Sequence, residues 1–352
     1  MQPLAKNRQS QPGMERRRAA VDRQTRSYML DMLIMMVPLA IMAVVNYGAR
    51  PLAIMALSVL SAVVIERIGY ALMRRPSELG DFSAVFTGMA IALVMPASAP
   101  LWLPVAGVAF AIIVAKLPFG PASRSPLIPA AAGIAFLTVC WGDLFFTYPV
   151  VSTSVAVTGS ESFREGVSLA AMLRVGDSGA PTLLNFFNII SGGMAGPMGT
   201  TCTIALFGAA VYLFIRHPER IIAPAAFVAV CSMCAIVFPR VMSGRKASLT
   251  MEIASGMLVF AALFFMSDPA TTPKKPLSKL IYGLAGGALC MLLRYFGAYE
   301  EGACFAVLLM NAAWPPVDRM LFNRRKKAAG EPRDRHTDLP PESGAEKGEV
   351  LS

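Results

Sequence analysis

At 352 residues the chain is long enough for two ordinary soluble domains. Only 15% of it is charged and 55% is hydrophobic, against about 25% charged in a typical soluble domain. So few charges could not cover a water-facing surface of this size. The net charge of +10 suggests nucleic acid at first, but of 32 Lys and Arg, 7 lie in residues 1–27 and 8 in residues 319–352. No long basic stripe remains in the middle, so no nucleic-acid partner is expected. Disorder, collagen and a secreted disulfide scaffold fail on the same composition. The expected class is an all-α polytopic membrane protein in a lipid bilayer.

Along the chain, residues 1–27 carry Lys6, Arg8, Arg16, Arg17, Arg18, Arg23 and Arg26 without an apolar run. They read as a basic cytoplasmic tail and not as a signal peptide. Residues 28–147 hold a first set of five apolar segments, at 28–47, 52–73, 82–96, 100–118 and 127–147. Residues 148–199 are the longest polar insertion, and long loops are where function concentrates. Five more segments fill residues 200–323, at 200–216, 220–239, 252–267, 278–296 and 303–322. Residues 324–352 open on Arg324-Arg325-Lys326-Lys327 and continue as a Pro/Glu/Gly-rich tail of disordered character. Each apolar segment lies near the roughly 20 residues that cross a hydrocarbon core as a helix, so about ten transmembrane helices are expected.

Charge sets the orientation. With an even number of crossings both basic tails lie on one side, the cytoplasmic one, with 24 Lys and Arg against 7 in the loops opposite. The expected site of residence is the cytoplasmic (inner) cell membrane, with residues 148–199 outside. A faint repeat links TGMAIALVMPA (87–97) to SGMLVFAALFFMSDPA (255–270). Each occupies the third segment of its five-segment half. Because five is odd, the halves would be inverted, a design that places short, Pro-broken helices around a midplane site. Chance likeness between apolar helices is the alternative.

Few residues suit hydrolytic or metal chemistry. The 2 histidines, His217 and His336, are too few for a histidine metal site or a Ser-His-Asp triad. No GxxxxGK[ST] loop is present, which argues against ATP-driven pumping. Cys231 and Cys234 form a CxxC, readable as a redox pair, as half of a cluster shared with another subunit, or as small hydrophobes in a helix. Asp31, Glu66, Asp143, Glu252, Asp268 and Asp318 lie within apolar segments, where carboxylates suggest ion or proton handling. For Glu66 the plain reading is a local ion pair with Arg67 or the basic pair at 74–75. The stretch 177–203 has glycines at 192, 193, 196 and 199 ahead of Thr200 and Thr201. Such glycines let backbone approach a phosphate or flavin edge at a helix start, which either threonine would cap. The same glycines also suit a re-entrant turn under tight packing.

Several stretches together resemble one family, the D subunit of the Rnf electron-transport complex and its relative, the B subunit of the sodium-pumping NADH:quinone oxidoreductase. They are FTGMAIALVMPASAPLW (86–102), AKLPFGPASRSPLIPAAAG (115–133), the run 192–217, ASGMLVFAALFFMSDPATTP (254–273) and LLRYFGAYEEGACFAVLLMNAAWPPVDR (292–319). The resemblance implies a membrane subunit of a redox-driven ion translocase, relaying electrons through external FMN and coupled to Na+ or H+ transport. In that family FMN is esterified to the threonine of a Ser/Thr-Gly-Ala-Thr motif. Here the motif reads Ser178-Gly179-Ala180-Pro181-Thr182, so the implied attachment point is Thr182, one residue later than usual. Ser178, Gly179 and Ala180 then flank the flavin, Gly193, Gly196, Gly199 and Thr200 cradle it, and a second flavin is left open. The partners implied are sibling membrane subunits, an external flavoprotein subunit and a flavin transferase. A flavin-free structural subunit and a small-solute channel of urea-channel type are the alternatives.

Overall fold

The computed structural model describes residues 12–74, 79–120, 125–151, 164–176, 183–241 and 244–328, with side chains from residue 23 to 320 apart from 79 and 183–186. The chain divides into two units, Met1–Ala312 and Ala313–Ser352. In the second unit the described residues continue one helix to Ala328, with Pro315 and Pro316 inside it. All other elements belong to the first unit.

Helix α1 (Pro12–Tyr47) turns at Gly48, whose φ of 78° needs no Cβ, into α2 (Arg50–Leu72). Pro51 sits in the first turn of α2, where its missing N–H is harmless. There follow α3 (Ser83–Val94), α4 (Trp102–Ile113), α5 (Pro129–Cys140) and the short α6 (Gly142–Phe145). The polar insertion contains a two-residue antiparallel pair, β1 (Tyr148–Pro149) with β2 (Glu165–Gly166), and two helices, α7 (Leu169–Val175) and α8 (Leu183–Ser191). The second half has α9 (Thr203–Arg216), α10 (Ile222–Val237), α11 (Arg245–Ala254) and α12 (Met257–Phe260), the last running into a π-helical turn at Ala261–Phe265. It closes with α13 (Pro276–Phe296) and α14 (Ala303–Ala328).

The ten apolar segments are all helical, but they are not ten full crossings. Arg23–Tyr47, α2 and α13 are long and apolar enough to span a bilayer, and α11 with α12 adds a fourth if the bent pair is one span. The helices α3, α4, α5, α9 and α10 have 12 to 16 residues. At about 1.5 Å per residue they fall short of a core about 30 Å thick. Proline explains the third segment. Met95 precedes Pro96 and is extended (φ −77°, ψ 157°), which stops α3 one residue earlier. In the eighth segment Gly256, at φ 92°, bends α11 from α12 by 59°.

The surface is apolar where soluble proteins are polar. Leu30, Ile34, Val37, Ile41 and Val45 form an exposed stripe at helical spacing on α1, and Leu60, Val64, Ile68 and Leu72 do the same on α2. The buried side holds charge instead: Glu66, Lys116, Glu252 and Arg294 are each at most 3% exposed. This inside-out distribution is that of a protein in lipid. Helices α10 and α13 pack closely because Gly283 and Gly287 admit backbone, a Cβ at either falling 2.4 Å and 2.6 Å from the Ala223 and Phe227 carbonyl oxygens.

The broken helices run in opposite directions. Helix α3 starts by Phe82, whose ring lies under Arg26 at the Tyr28 end of α1, and finishes where Gly199 N–H donates to the Leu93 carbonyl (2.8 Å). Helix α12 starts at Gly256 against Thr200, and its π turn leads to Ser267, which accepts from the Tyr28 hydroxyl (2.8 Å). Inverted halves require this antiparallel placement.

Candidate functional site

Two buried charge clusters mark the two ends of the bundle. At the Tyr28 end, Lys116 lies 2.6 Å from Glu66 and donates to the Ser83 hydroxyl at the start of α3. The local pairing of Glu66 with Arg67 or the 74–75 pair, expected from sequence, is thus replaced by a long-range one. The helix α2 face carrying Glu66 turns inward, and Lys116 is the cation that reaches it. Nearby, Asp31 holds His217 (2.9 Å), Tyr212 (3.1 Å) and Arg216 (3.5 Å). Asp268 closes a turn by accepting from the Ala270 and Thr271 N–H groups, both at 3.1 Å. A cavity of about 500 Å³ beside it is lined by Arg220, Lys274, Lys279 and Glu219.

The Tyr47 end is where the 192–201 segment lies. Asn46 donates to the Gly192 carbonyl (3.3 Å) and the Tyr47 hydroxyl to that of Gly196 (3.4 Å). Here Glu252 is shared by Arg294 and Arg240, each at 3.1 Å, and Arg294 also donates to Ser255 (2.5 Å) and approaches Glu301 at 3.5 Å. The Arg240 guanidinium stacks on the Tyr295 ring at 4.1 Å. Glu300 accepts from Ser168, the N-cap of α7, at 2.8 Å. Burial pushes both loop carboxyls up, Glu301 to about 7 against the opposing pull of Arg294. In the sequence, Arg294 and Glu301 stand out only as parts of a family pattern. A charge near the end of an apolar helix is the signal that marks them.

Of the residues assigned to a flavin, Ser178, Gly179, Ala180 and Thr182 lie outside the described residues. The others do come together, but around packing contacts. The Gly193 N–H donates to Asn188 (2.7 Å), closing the end of α8. A Cβ at Gly199 would fall 2.4 Å from Leu93, and one at Gly196 2.7 Å from Thr201. The Thr200 hydroxyl is fully buried without a hydrogen-bond partner and faces Gly256, so it caps no helix. The space beside Gly196 is about 10 Å³, the volume of one small guest. The space beside Gly196 is too small for a flavin, and no redox step is derived through these residues.

The cysteines hold no cluster among the described residues: all six are free and no group of three or more metal-ligating side chains occurs there. Cys231 is buried and its thiol points to the Gly287 carbonyl on α13 (3.7 Å), as a small residue in the α10–α13 seam.

Comparison with known proteins supplies the setting for this geometry. The family described as NQR2, RnfD, RnfE matches residues 18–327. The chain is 28% identical over 302 residues to the D subunit of the Na+-translocating ferredoxin:NAD+ oxidoreductase complex of Acetobacterium woodii, covering 85% of this chain and 90% of that protein. It is 29% identical over 327 residues to the D subunit of the ion-translocating oxidoreductase complex of Salmonella heidelberg, covering 84% and 92%. The corresponding Salmonella typhimurium protein matches to the same extent.

Proposed function

The chain belongs to the NQR2, RnfD, RnfE family, and on that premise we propose that it is the D-type membrane subunit of an ion-translocating oxidoreductase complex, working beside sibling subunits. The observation that carries this is a match running through both halves, from residue 18 to residue 327. It also decides against the small-solute channel reading. The apolar exterior and the buried ion pairs support a subunit that lives in lipid and handles charge inside it. Sodium is the ion named for the Acetobacterium woodii relative, and Na+ is the coupling ion proposed for this chain.

The finer parts of the proposal rest on the same premise. The subunit sits in the inner membrane with both termini cytoplasmic, so that residues 148–199 meet an external flavoprotein subunit. FMN esterified to Thr182 belongs to the proposal too, and bound there it would supply one-electron relay chemistry. The hydroxyl of Thr182 provides the attachment. Pro181, at the position where the family carries threonine, favours a second reading, a structural subunit without flavin. Peptide mass spectrometry of the 175–190 region from the native complex separates the two, with Thr182→Val as control. A phosphoester-linked FMN mass on the wild-type peptide is expected. An unmodified peptide from cells that flavinylate a sibling subunit selects the structural reading.

A further inference from the structure

We propose that the small cavity at the Tyr47 end, between Glu301 and Thr201, is a binding site for one dehydrated Na+ ion. Its lining includes Glu301, Thr201, Ser168, Ser255, Tyr148 and Gly196. Two buried oxygens are left over there. Glu301 is 5% exposed and its Oε2 has no hydrogen-bond partner, and Thr201 is 6% exposed with an unpartnered Oγ1. A buried polar atom without a partner costs free energy unless something occupies the space beside it.

The sign of the guest follows from where the hydrogens are. Ser255 donates its hydroxyl hydrogen to the Glu252 carbonyl (2.7 Å) and accepts from Arg294, while Ser168 donates to Glu300 (2.8 Å) and accepts from the Ala171 N–H (3.0 Å). Both serines therefore turn lone pairs, not hydrogens, to the cavity, beside a carboxylate. Neighbouring cations are committed elsewhere. Arg240 reaches Glu252 and the Tyr295 ring, and Arg174 donates to the Ala298 carbonyl. Arg294, shared with Glu252, approaches only the other Glu301 oxygen, at 3.5 Å. Glu301 thus keeps its Oε2 free for a further cation.

Size and donor type narrow the class. The polar side-chain atoms of the lining, from Tyr148, Ser168, Thr201, Ser255 and Glu301, are all oxygens, as suits a hard cation, while apolar side chains such as Ile189, Met194 and Ala254 close the rest. One free carboxylate oxygen among neutral oxygens suits a single positive charge, and a space of about 10 Å³ admits a bare ion no larger than a water molecule. Any hydrated ion is excluded. The site deepens the ion-translocation reading and rests on it for its role, which is to hold the coupling ion at one end of the second half.

The test is Na+-dependent thermal stabilisation of the intact complex, with choline chloride replacing NaCl at constant ionic strength. Na+ is expected to raise the unfolding midpoint of the wild type above its value in choline. Glu301→Gln, which keeps shape and removes the charge, should weaken Na+ binding by about tenfold or more. Thr201→Val should weaken it less, and decides the matter if the first variant fails to assemble. An equal Na+ response in wild type and in either folded variant, or no response in the wild type, overturns the site and assigns the cavity to a resident water. Redox-driven uptake of labelled Na+ by the same complex in proteoliposomes keeps the two readings apart. Uptake without stabilisation contradicts the site and leaves the complex reading intact. Stabilisation without redox-driven transport of any ion contradicts the complex reading and leaves the site.

Discussion

Lys116 lies 2.6 Å from Glu66 with both side chains at most 1% exposed, and the same ammonium donates to Ser83 at the head of a broken helix. Its counterpart is Arg294 with Glu252, donating to Ser255 at the head of the other broken helix. The clusters lie at opposite ends of the bundle, so each half seals one end with a cation from the helix or turn that comes after its broken helix. Removing one member of a buried pair leaves an uncompensated charge, typically at a cost of about 3–5 kcal/mol, whereas replacing both is often close to neutral. Lys116→Met alone is expected to lower the thermal midpoint of the detergent-solubilised protein steeply. The double variant Lys116→Met with Glu66→Leu should recover most of the loss. A double variant as unstable as the single one would show that the ammonium–Ser83 bond, not the ion pair, matters.

Gly256 joins backbone strain to a close contact. Its φ of 92° is one that L side chains rarely adopt, and a Cβ there would fall 2.7 Å from the Thr200 hydroxyl. Gly256→Ala is expected to cost about 1–3 kcal/mol, and adding Thr200→Ala should recover only the contact, not the backbone part. Thr200→Val alone should leave thermal stability nearly unchanged, because it removes a buried hydroxyl that has no partner. Loss of flavin from the complex on Thr200→Val would instead restore the cofactor role that the sequence suggests.

Asp268 accepts two backbone N–H groups and the Thr271 hydroxyl on one oxygen. Asp268→Asn keeps an acceptor in that place and should preserve the turn after the π helix. Asp268→Ala leaves the Ala270 and Thr271 N–H groups without it, a loss of about 1–3 kcal/mol. Thermal unfolding of the two variants side by side reads the difference, and equal midpoints would contradict it.

Membrane orientation is tested by labelling. A cysteine introduced at Ser160 should react with an impermeant maleimide in intact cells, after the exposed native Cys140 is removed. Reaction only after lysis would place residues 148–199 on the cytoplasmic side.

Much of this architecture is legible in the sequence because lipid reduces it to one variable, the apolar run. All ten segments are helical, and Pro96 and Pro269 mark the ends of the broken ones because proline cannot extend a helix. Crossing length is less legible. Composition does not distinguish a 12-residue helix enclosed by others from one that spans a bilayer. The Lys116–Glu66 pair is hidden because the nearer Arg67 offers a local partner, and only the inward face of α2 excludes it. Gly193, Gly196 and Gly199 read equally well as a cradle and as packing contacts, since both need a missing Cβ. Their neighbours Asn188, Thr201 and Leu93 account for the packing contacts.

The most direct test of the central claim is ion transport by the complex with and without this chain. The complex is purified, reconstituted into proteoliposomes and supplied with its electron donor, and ion uptake is followed as electrons flow. The account predicts uptake that depends on electron transfer and is lost when this subunit is omitted. Undiminished redox-driven uptake by a complex lacking the chain, or solute conductance by the chain without electron flow, would contradict it.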